Sequence, residues 1–552
     1  MIAALPKERS RLIFWMLLLA HIYFLQIYPN FISTTEFSRF LLVSAIVDDR
    51  TIQVDQAIKR YGDCQDKAIF EGHAYSDKSI GPALIGMPVY AVLRVVGALF
   101  SLQWDARTPI FLLRLFCGTI PALFFLRVLT GFWSEIGSDR KWTAILIFVF
   151  LFGTIAFPYS QQFTGHHLMG MSLFLSFYFL YRANHAVPSR TTRNLILGGA
   201  FSGAAVLCEY PAVFPVAVLF FYMIWTLPKR TGAIWYVVGA IPFLVAMLLY
   251  NFSIFGTPFD VTYRHMADPT HTVAHDTGFI GFGLPSIEGL KGLLISRSRG
   301  LFFFSPVLLF SLPGFTYFFK DQSFRKEAWL FAGVTITIAG FHSGMSNWDG
   351  GRAIGPRYLT SAIPFLITAI VFFFKQERIS KIQLVQESFA LMSLWSVLVI
   401  VIGTVTFPFP PVEIDDPFFK LNLPLLLNGA FGKNLGSLLP SFGTVILFLT
   451  ILLMIFLILT DASDSQSPNA RSIVRWSVRL MIIAVLFLGG YWRAQNLTAF
   501  DYFARGSVYF YLGKYENSLM ELQTGLTHNP DAHELRLIQL RIRQVSQKQH
   551  VP

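Results

Sequence analysis

The sequence contains few cysteines and few charged residues. Its three cysteines, Cys64, Cys117 and Cys208, are too few for a disulfide framework or for a zinc site built on cysteine. Lys, Arg, Asp and Glu make up only 14% of the 552 residues, whereas soluble domains carry about 25%. Together with the apolar content described next, this scarcity of charge excludes a soluble enzyme, a disordered tail protein and a disulfide-stapled secreted module.

Apolar residues are abundant instead, at 54% of the chain with 57 Phe. A helix that crosses a bilayer needs about 20 apolar residues. Blocks of suitable length predict an all-α polytopic membrane protein with about 13 transmembrane helices. These blocks lie near residues 12–29, 109–133, 142–159, 168–184, 194–209, 211–227, 233–255, 300–319, 328–343, 357–374, 388–407, 441–460 and 475–492.

The net charge of +12 is interpreted as an orientation signal, because Lys and Arg collect in cytoplasmic loops of membrane proteins. No nucleic-acid partner is predicted. The first block follows Lys7, Arg9 and Arg11 and has no small-residue cleavage site after it. It is therefore predicted to be a retained anchor, with the N-terminus in the cytoplasm.

Block 81–100 is apolar but is interrupted by Pro82, Pro88 and Arg94. If it does not span, the basic clusters of residues 140–141, 182–193, 229–230, 320–326 and 375–381 all face the cytoplasm. If it spans, all of them move outside, against the charge rule. Block 81–100 is therefore predicted to be a surface or re-entrant helix of the first outer loop, residues 30–108. The C-terminus is then extracytoplasmic.

Polar residues gather on the outer side of this topology. Glu209 lies between two apolar helices, where a carboxylate is a functional candidate; a capping carboxylate at a helix turn is the alternative. Arg357 follows three glycines and enters a membrane helix at its outer end. Its guanidinium suits a lipid phosphate, although an arginine that reaches ordinary headgroups is also possible. Asp77 and Lys78 precede block 81–100. An adjacent carboxylate and ammonium can bind a divalent metal and a phosphate together; a simple surface ion pair between the two is the alternative.

Three segments, residues 35–39, 72–78 and 357–364, resemble motifs of the GT-C membrane glycosyltransferases and follow one another in the same order as in that family. The likeness is to the bacterial branch related to protein O-mannosyltransferases and lipid A aminoarabinose transferases. Residues 35–39 (TEFSR) resemble its first acidic element, and residues 357–364 (RYLTSAIP) resemble a later helix start. Residues 72–78 (GHAYSDK) are similar to the element in which the lysine contacts the lipid phosphate and the adjacent carboxylate helps to hold a metal.

The resemblance implies a GT-C bundle in the bacterial cytoplasmic (inner) membrane that transfers a sugar from a polyprenyl-phosphate donor, with inversion. The acceptor is a glycan, a lipid or a protein. The resemblance assigns donor binding to Lys78, Arg357, Tyr75 and Arg264. It also implies a divalent metal ion, with Asp77, His166 and His167 as candidate ligands, and no organic cofactor.

The sequence departs from the family at the expected catalytic aspartate, because that position is Asn30. Glu36, Asp48 and Asp49 remain as candidate general bases for the acceptor hydroxyl. A membrane transporter or lipid-linked sugar flippase is the alternative function. Such proteins typically show internal repeats and ionisable residues deep in several helices, and no clear repeat is present.

Residues 495–552 differ in character from the membrane domain, residues 1–494. The apolar blocks stop there, and residues 502–530 match the tetratricopeptide pattern. A single repeat cannot bury its own apolar face. The tail is therefore predicted to be a helical hairpin that docks on the outer face of the membrane domain or on a protein partner. An ordinary amphipathic hairpin without a binding role is the alternative.

Overall fold

The computed structural model describes residues 19–27, 33–185, 188–227, 230–268, 283–434 and 470–549. This part of the chain is mostly helical and has almost no sheet, which confirms the predicted all-α class. The described part contains two small antiparallel sheets that the sequence did not predict, each of two strands. Block 441–460, most of block 12–29 and Asn30 lie outside the described residues.

The elements follow one another from the first strand to the C-terminal helices. The strands are β1 (Gln26–Ile27), β2 (Lys67–Phe70), β3 (His73–Ser76) and β4 (Lys433–Asn434). The helices are α1 (Thr34–Ser44), α2 (Asp55–Tyr61), α3 (Gly81–Leu99), α4 (Arg107–Leu113), α5 (Ile120–Glu135), α6 (Arg140–Phe152), α7 (Ala156–Ser160), α8 (Gly165–His185), α9 (Pro188–Cys208), α10 (Val213–Thr226), α11 (Ala233–Phe255), α12 (Ile287–Ile295), α13 (Leu301–Phe304), α14 (Ser311–Lys320), α15 (Arg325–Ser343), α16 (Ile363–Phe374), α17 (Glu377–Ser380), α18 (Gln383–Thr406), α19 (Leu423–Leu427), α20 (Ala470–Arg493), α21 (Ala499–Tyr511), α22 (Tyr515–Leu526) and α23 (Ala532–Gln549).

Short 3-10 and π segments join several of these helices. The 3-10 segments are Tyr210–Ala212, Arg230–Gly232, Thr262–His265, Pro306–Phe310 and Arg357–Ala362. The π segments are Ala45–Asp49, Arg114–Thr119 and Phe418–Asn422. The last 3-10 segment continues directly into α16, so that Arg357 stands at the start of a long apolar helix.

Six helical stretches in the described residues are long and apolar enough to cross a membrane, judged by length and composition. They are Gly81–Leu99, Arg107–Glu135, Arg230–Phe255, Arg357–Phe374, Gln383–Thr406 and Trp476–Arg493. Block 300–319 is broken into three short pieces around Ser305 and Pro306. Since α3 is among the six, its predicted placement at the surface stays a prediction, as does the number of spans.

Glycine allows two of the membrane helices to pack with their backbones in close approach. A Cβ on Gly199 of α9 would lie 1.8 Å from the backbone oxygen of Tyr236 in α11. A Cβ on Gly239 of α11 would lie 2.0 Å from the backbone oxygen of Ile196. Small residues at such contacts are the usual means of packing helices in a bilayer.

The hairpin of β2 and β3 fixes the geometry of the first loop. Glu71 and Gly72 form its two-residue turn with φ of 50° and 82°, which is the pattern of a type I′ turn. Lys67 pairs with Ser76 at the open end of the ladder. Asp66 directly precedes β2 and Asp77 directly follows β3, so the two residues flank this pair and their carboxylates lie side by side.

The C-terminal tail contains the predicted hairpin, α21 and α22, and a third helix, α23. Ala504, Val508 and Leu512 pack into one apolar cluster with Phe407 and Leu421 of the segment that follows α18. The Nζ atom of Lys420 lies 3.3 Å from the Asp501 carboxylate, and Lys514 Nζ donates to the Gly429 carbonyl at 2.8 Å. The tail is thus docked on the membrane domain of the same chain.

Candidate functional site

A cavity of about 760 Å³ opens between the first-loop hairpin, the start of α8, residues 345–358 and the tail. Its polar lining comes from segments far apart in the sequence. The ionisable side chains that line it include Arg39, Asp63, Asp66, Lys78, His166, Glu209, His342, Arg352, Arg357, Tyr358, Glu413 and Tyr511. The cavity therefore brings together the predicted residues Lys78, Arg357 and His166, and also Glu209.

Lys78 is held between the two carboxylates that the hairpin places side by side. Its Nζ atom lies 2.9 Å from Asp66 Oδ2 and 2.7 Å from Asp77 Oδ2. Burial alone would lower the pKa of Lys78, but the two carboxylates outweigh it and raise this pKa to about 12. Lys78 is thus a fixed positive charge at the cavity wall.

Asp66 and Asp77 differ in their surroundings. Burial opposes ionisation of Asp66, but Lys78 and the Thr35 hydroxyl, which donates to Asp66 at 2.8 Å, hold its pKa below the usual value. Asp77 has no exposed surface, and burial together with the nearby Asp66 charge raises its pKa. Asp66 is therefore the main counter-charge of Lys78.

Arg39 and Glu209 form a second buried pair in the cavity wall. The NH2 group of Arg39 donates to Glu209 Oε1 at 3.0 Å, and the two residues are 2% and 5% exposed. The Nε and NH1 groups of Arg39 are buried and have no hydrogen-bond partner among the described residues. A buried donor without a partner is costly, so a bound anion or water is needed to satisfy them.

A glycine allows α8 to begin against Glu209. A Cβ on Gly165 would lie 2.2 Å from Glu209 Oε1. The next residue, His166, therefore sits close to this carboxylate, with Nδ1 3.8 Å from Glu209 Oε1. That distance is longer than a hydrogen bond, and His166 Nδ1 has no partner in the described part of the chain.

Arg357 also lines the cavity and has an aromatic neighbour. Its guanidinium carbon is 5.2 Å from the ring centre of Tyr358, and its buried Nε has no hydrogen-bond partner within the described ranges. The imidazole ring of His342 stacks on the ring of Tyr358, with 4.6 Å between the two ring centroids. A Cβ on Gly350 would lie 3.0 Å from Arg357 Nε, so glycine leaves room for the guanidinium.

The carboxylates that the sequence suggested as general bases do not line this cavity. Glu36 is fully buried and accepts two hydrogen bonds from Arg114, at 2.8 and 2.6 Å, and one from the Phe163 amide at 2.7 Å. Asp48 pairs with Arg60 at 3.0 Å and Arg94 at 2.7 Å, and Asp49 pairs with Arg60 at 2.6 Å. All three are thus engaged in structural contacts, Glu36 with residues beyond the first loop and Asp48 and Asp49 within it.

Four further predicted residues also lie outside the lining. Tyr75 is buried in the hairpin, and Arg264 is 46% exposed in its side chain and pairs with Asp260 at 3.6 Å. Asp77 and His167 are buried beside the cavity wall. The described residues contain no group of three His, Cys, Asp or Glu side chains that could hold a metal ion. Asp77, His166 and His167 therefore do not fit as a joint metal site, and the metal remains a prediction.

The sequence did not single out three of the lining residues, Arg39, Asp66 and Tyr511, for a role of their own. Arg39 follows Glu36 by three residues on α1. Arg39 forms an ion pair with Glu209, whereas Glu36 forms one with Arg114. Tyr511 could not be assigned, because its place depends on how the tail docks.

Neither a family model nor a curated protein matches the sequence. Two crystal structures of ArnT from Cupriavidus metallidurans are similar to the chain. The structure bound to undecaprenyl phosphate has 13% identity and a TM-score of 0.46, and the match covers 93% of this chain and 78% of that one. The apo structure has 13% identity and a TM-score of 0.47, with coverage of 94% and 80%. At these values the similarity concerns only the path of the backbone and gives no information about chemistry.

Proposed function

We propose that this protein transfers a sugar from a polyprenyl-phosphate donor to an acceptor hydroxyl at the outer face of the cytoplasmic membrane. One observation carries the proposal. Arg39, Lys78 and Arg357 line the same cavity, and Arg39 and Arg357 retain buried N–H groups without partners among the described residues. Three cations, two of which have spare donors, suit a phosphate group.

Such a cavity suits a lipid-linked phosphate because Lys78 directly precedes α3. Val92, Val95 and Leu99 of this helix are 65%, 59% and 73% exposed. An exposed apolar face of this kind favours contact with lipid. A phosphate on a long isoprenoid chain could keep its tail along α3 while its charged end reaches Lys78.

The chemistry follows from the charges around the cavity. In the transfer, the bond between the anomeric carbon and the phosphate oxygen breaks, and the acceptor oxygen bonds to that carbon from the opposite face. Negative charge grows on the leaving phosphate, and Lys78, Arg39 and Arg357 would stabilise it. The proton of the acceptor hydroxyl passes to a base.

We assign the base to Glu209. Of the other carboxylates in the lining, Asp66 is engaged by Lys78 and Thr35. The side chain of Asp63 is 59% exposed and bound to Lys67, and Glu413 is exposed. Glu209 is buried and lines the cavity beside Arg39 and His166. No step of this scheme uses a metal ion.

Binding of undecaprenyl phosphate to the purified full-length protein, measured by native mass spectrometry, tests the phosphate site. A charge-assisted hydrogen bond contributes about 1.5–3 kcal/mol, so Lys78→Ala and Arg357→Ala should each weaken binding by about tenfold or more. The matched control, Lys59→Ala, removes an exposed lysine outside the cavity and should bind normally. Unchanged binding in both cavity variants would refute the phosphate site.

Glu209→Gln separates a transferase from a flippase that binds the same lipid. The variant keeps the size of the side chain and removes the base, so sugar transfer in isolated membranes should stop while undecaprenyl phosphate still binds. Full transfer activity in Glu209→Gln would remove this residue as the base.

A further inference from the structure

The C-terminal tail contributes a side chain to the same cavity. Tyr511, the last residue of α21, lines it together with Arg352 and Glu413. The apolar cluster of Val508 and Leu512 with Phe407, and the Lys420–Asp501 ion pair, hold this end of α21 in place. Tyr511 is therefore a fixed part of the cavity wall, although it belongs to another region of the sequence.

Two guanidinium groups meet at Tyr511. The NH2 group of Arg541 in α23 donates to the Tyr511 hydroxyl at 3.2 Å, and its guanidinium carbon lies 5.1 Å from the ring centre. Arg352 lines the cavity together with Tyr511, and its positive charge acts on the same hydroxyl. Burial alone would raise the pKa of Tyr511, but Arg541 and Arg352 outweigh it and lower this pKa below its usual value.

The positive charge at this point is not neutralised by an ion pair. Within the described ranges, neither Arg352 nor Arg541 has a carboxylate within 4.0 Å, and the buried Nε of Arg541 has no hydrogen-bond partner there. The guanidinium groups of Arg352 and Arg541 carry like charges near the Tyr511 phenol and repel each other. A negatively charged group placed beside them would be stabilised by both.

We infer that the tail completes the acceptor end of the cavity, where Arg352 binds an anionic group of the acceptor beside Tyr511. Arg541 contacts the Tyr511 hydroxyl from outside the lining and adds its positive charge. This inference rests on the proposed function, since Lys78, Arg39 and Arg357 are then occupied by the donor phosphate. The acceptor class is a hydroxyl compound that carries a phosphate or a carboxylate. The tail thus acts as part of the substrate site.

Saturation-transfer NMR on the full-length protein in detergent tests this inference. The probes are glucose 6-phosphate, glucuronic acid and glucose, each with saturating undecaprenyl phosphate so that the donor site is filled. We expect at least fivefold tighter binding of one or both anionic probes than of glucose, and the preferred probe tells phosphate from carboxylate. Equal binding of all three probes would overturn the inference.

The variants assign the preference to the two arginines. Arg352→Gln and Arg541→Gln should each reduce anion binding to the level of glucose, whereas Arg541→Lys, which keeps the charge, should retain part of it. The control Arg536→Gln changes an exposed arginine of the same helix and should have no effect. A preference that persists in Arg352→Gln, which leaves the tail core intact, would overturn the inference.

Failure of the proposed function has a different result. In that case wild-type protein does not bind undecaprenyl phosphate at all. The Arg541→Gln variant, by contrast, should bind undecaprenyl phosphate as wild type does, because Arg541 does not line the cavity that holds Lys78.

Discussion

Charged residues in the first loop divide into those that hold the fold and those that face the cavity. Glu36 and Arg39 occupy one short helix, yet Glu36 binds Arg114 with both oxygens while Arg39 turns to Glu209. The Glu36–Arg114 pair is buried and satisfied by several hydrogen bonds. Removal of one member of such a pair leaves the other charge buried and uncompensated.

Glu36→Gln should therefore destabilise the protein by about 3–5 kcal/mol. Thermal unfolding of the purified protein in detergent measures this, and Glu71→Gln, at an exposed turn position, is the control. If Glu36 were the general base, its glutamine variant would unfold normally and lose only sugar transfer. That result would contradict the structural role.

The residues that the sequence could identify are those with a strong local signal. Lys78 and Arg357 were predicted from their place next to apolar blocks, and both line the cavity. Asp48 and Asp49 carried the same kind of local signal, but Arg60 and Arg94 neutralise them. Which carboxylate meets which guanidinium depends on contacts between residues up to 170 positions apart, as for Arg39 and Glu209, and local sequence does not encode them.

At the scale of elements, the start of α3 and the end of α9 keep the two halves of the site together. A Cβ on Gly81 would lie 2.5 Å from the backbone oxygen of Leu207, and the Ser79 hydroxyl donates to the Cys208 carbonyl. Lys78 precedes this contact and Glu209 follows it. The distance between the phosphate site and the proposed base is therefore set by backbone packing.

Gly81→Ala should lower stability by about 1–3 kcal/mol, because the backbone of α9 cannot move aside as a side chain can. It should also weaken undecaprenyl phosphate binding. In the control Gly131→Ala the new Cβ meets nothing within 4 Å, so that variant should be neutral or slightly more stable. Thermal unfolding compares the two. Equal stability of the two variants would show that the contact does not matter.

For the molecule as a whole, composition was enough to predict a helical membrane protein, and the tetratricopeptide pattern was enough to predict helices in the tail. The hairpin of β2 and β3 was missed because it lies in a loop whose pairing is not visible in an apolar profile. The docking of the tail was not predictable in detail, since it depends on an apolar cluster formed with residues 407–430.

The predicted orientation can be tested on intact cells, because the three native cysteines are buried and give little background. A membrane-impermeant maleimide should label Glu516→Cys in the tail and should fail to label Arg378→Cys in the basic loop after α16. Both positions are exposed, so both should react once the membrane is permeabilised. The reverse pattern on intact cells would place the tail in the cytoplasm and refute an outer-face site.

The most direct test of the central claim is an experimental structure of the full-length protein with undecaprenyl phosphate. The proposed function predicts density for the phosphate in the cavity, within hydrogen-bonding distance of Lys78 and Arg357, with the isoprenoid chain along α3. A phosphate bound elsewhere, or a cavity filled by water while the lipid occupies another surface, would contradict the account.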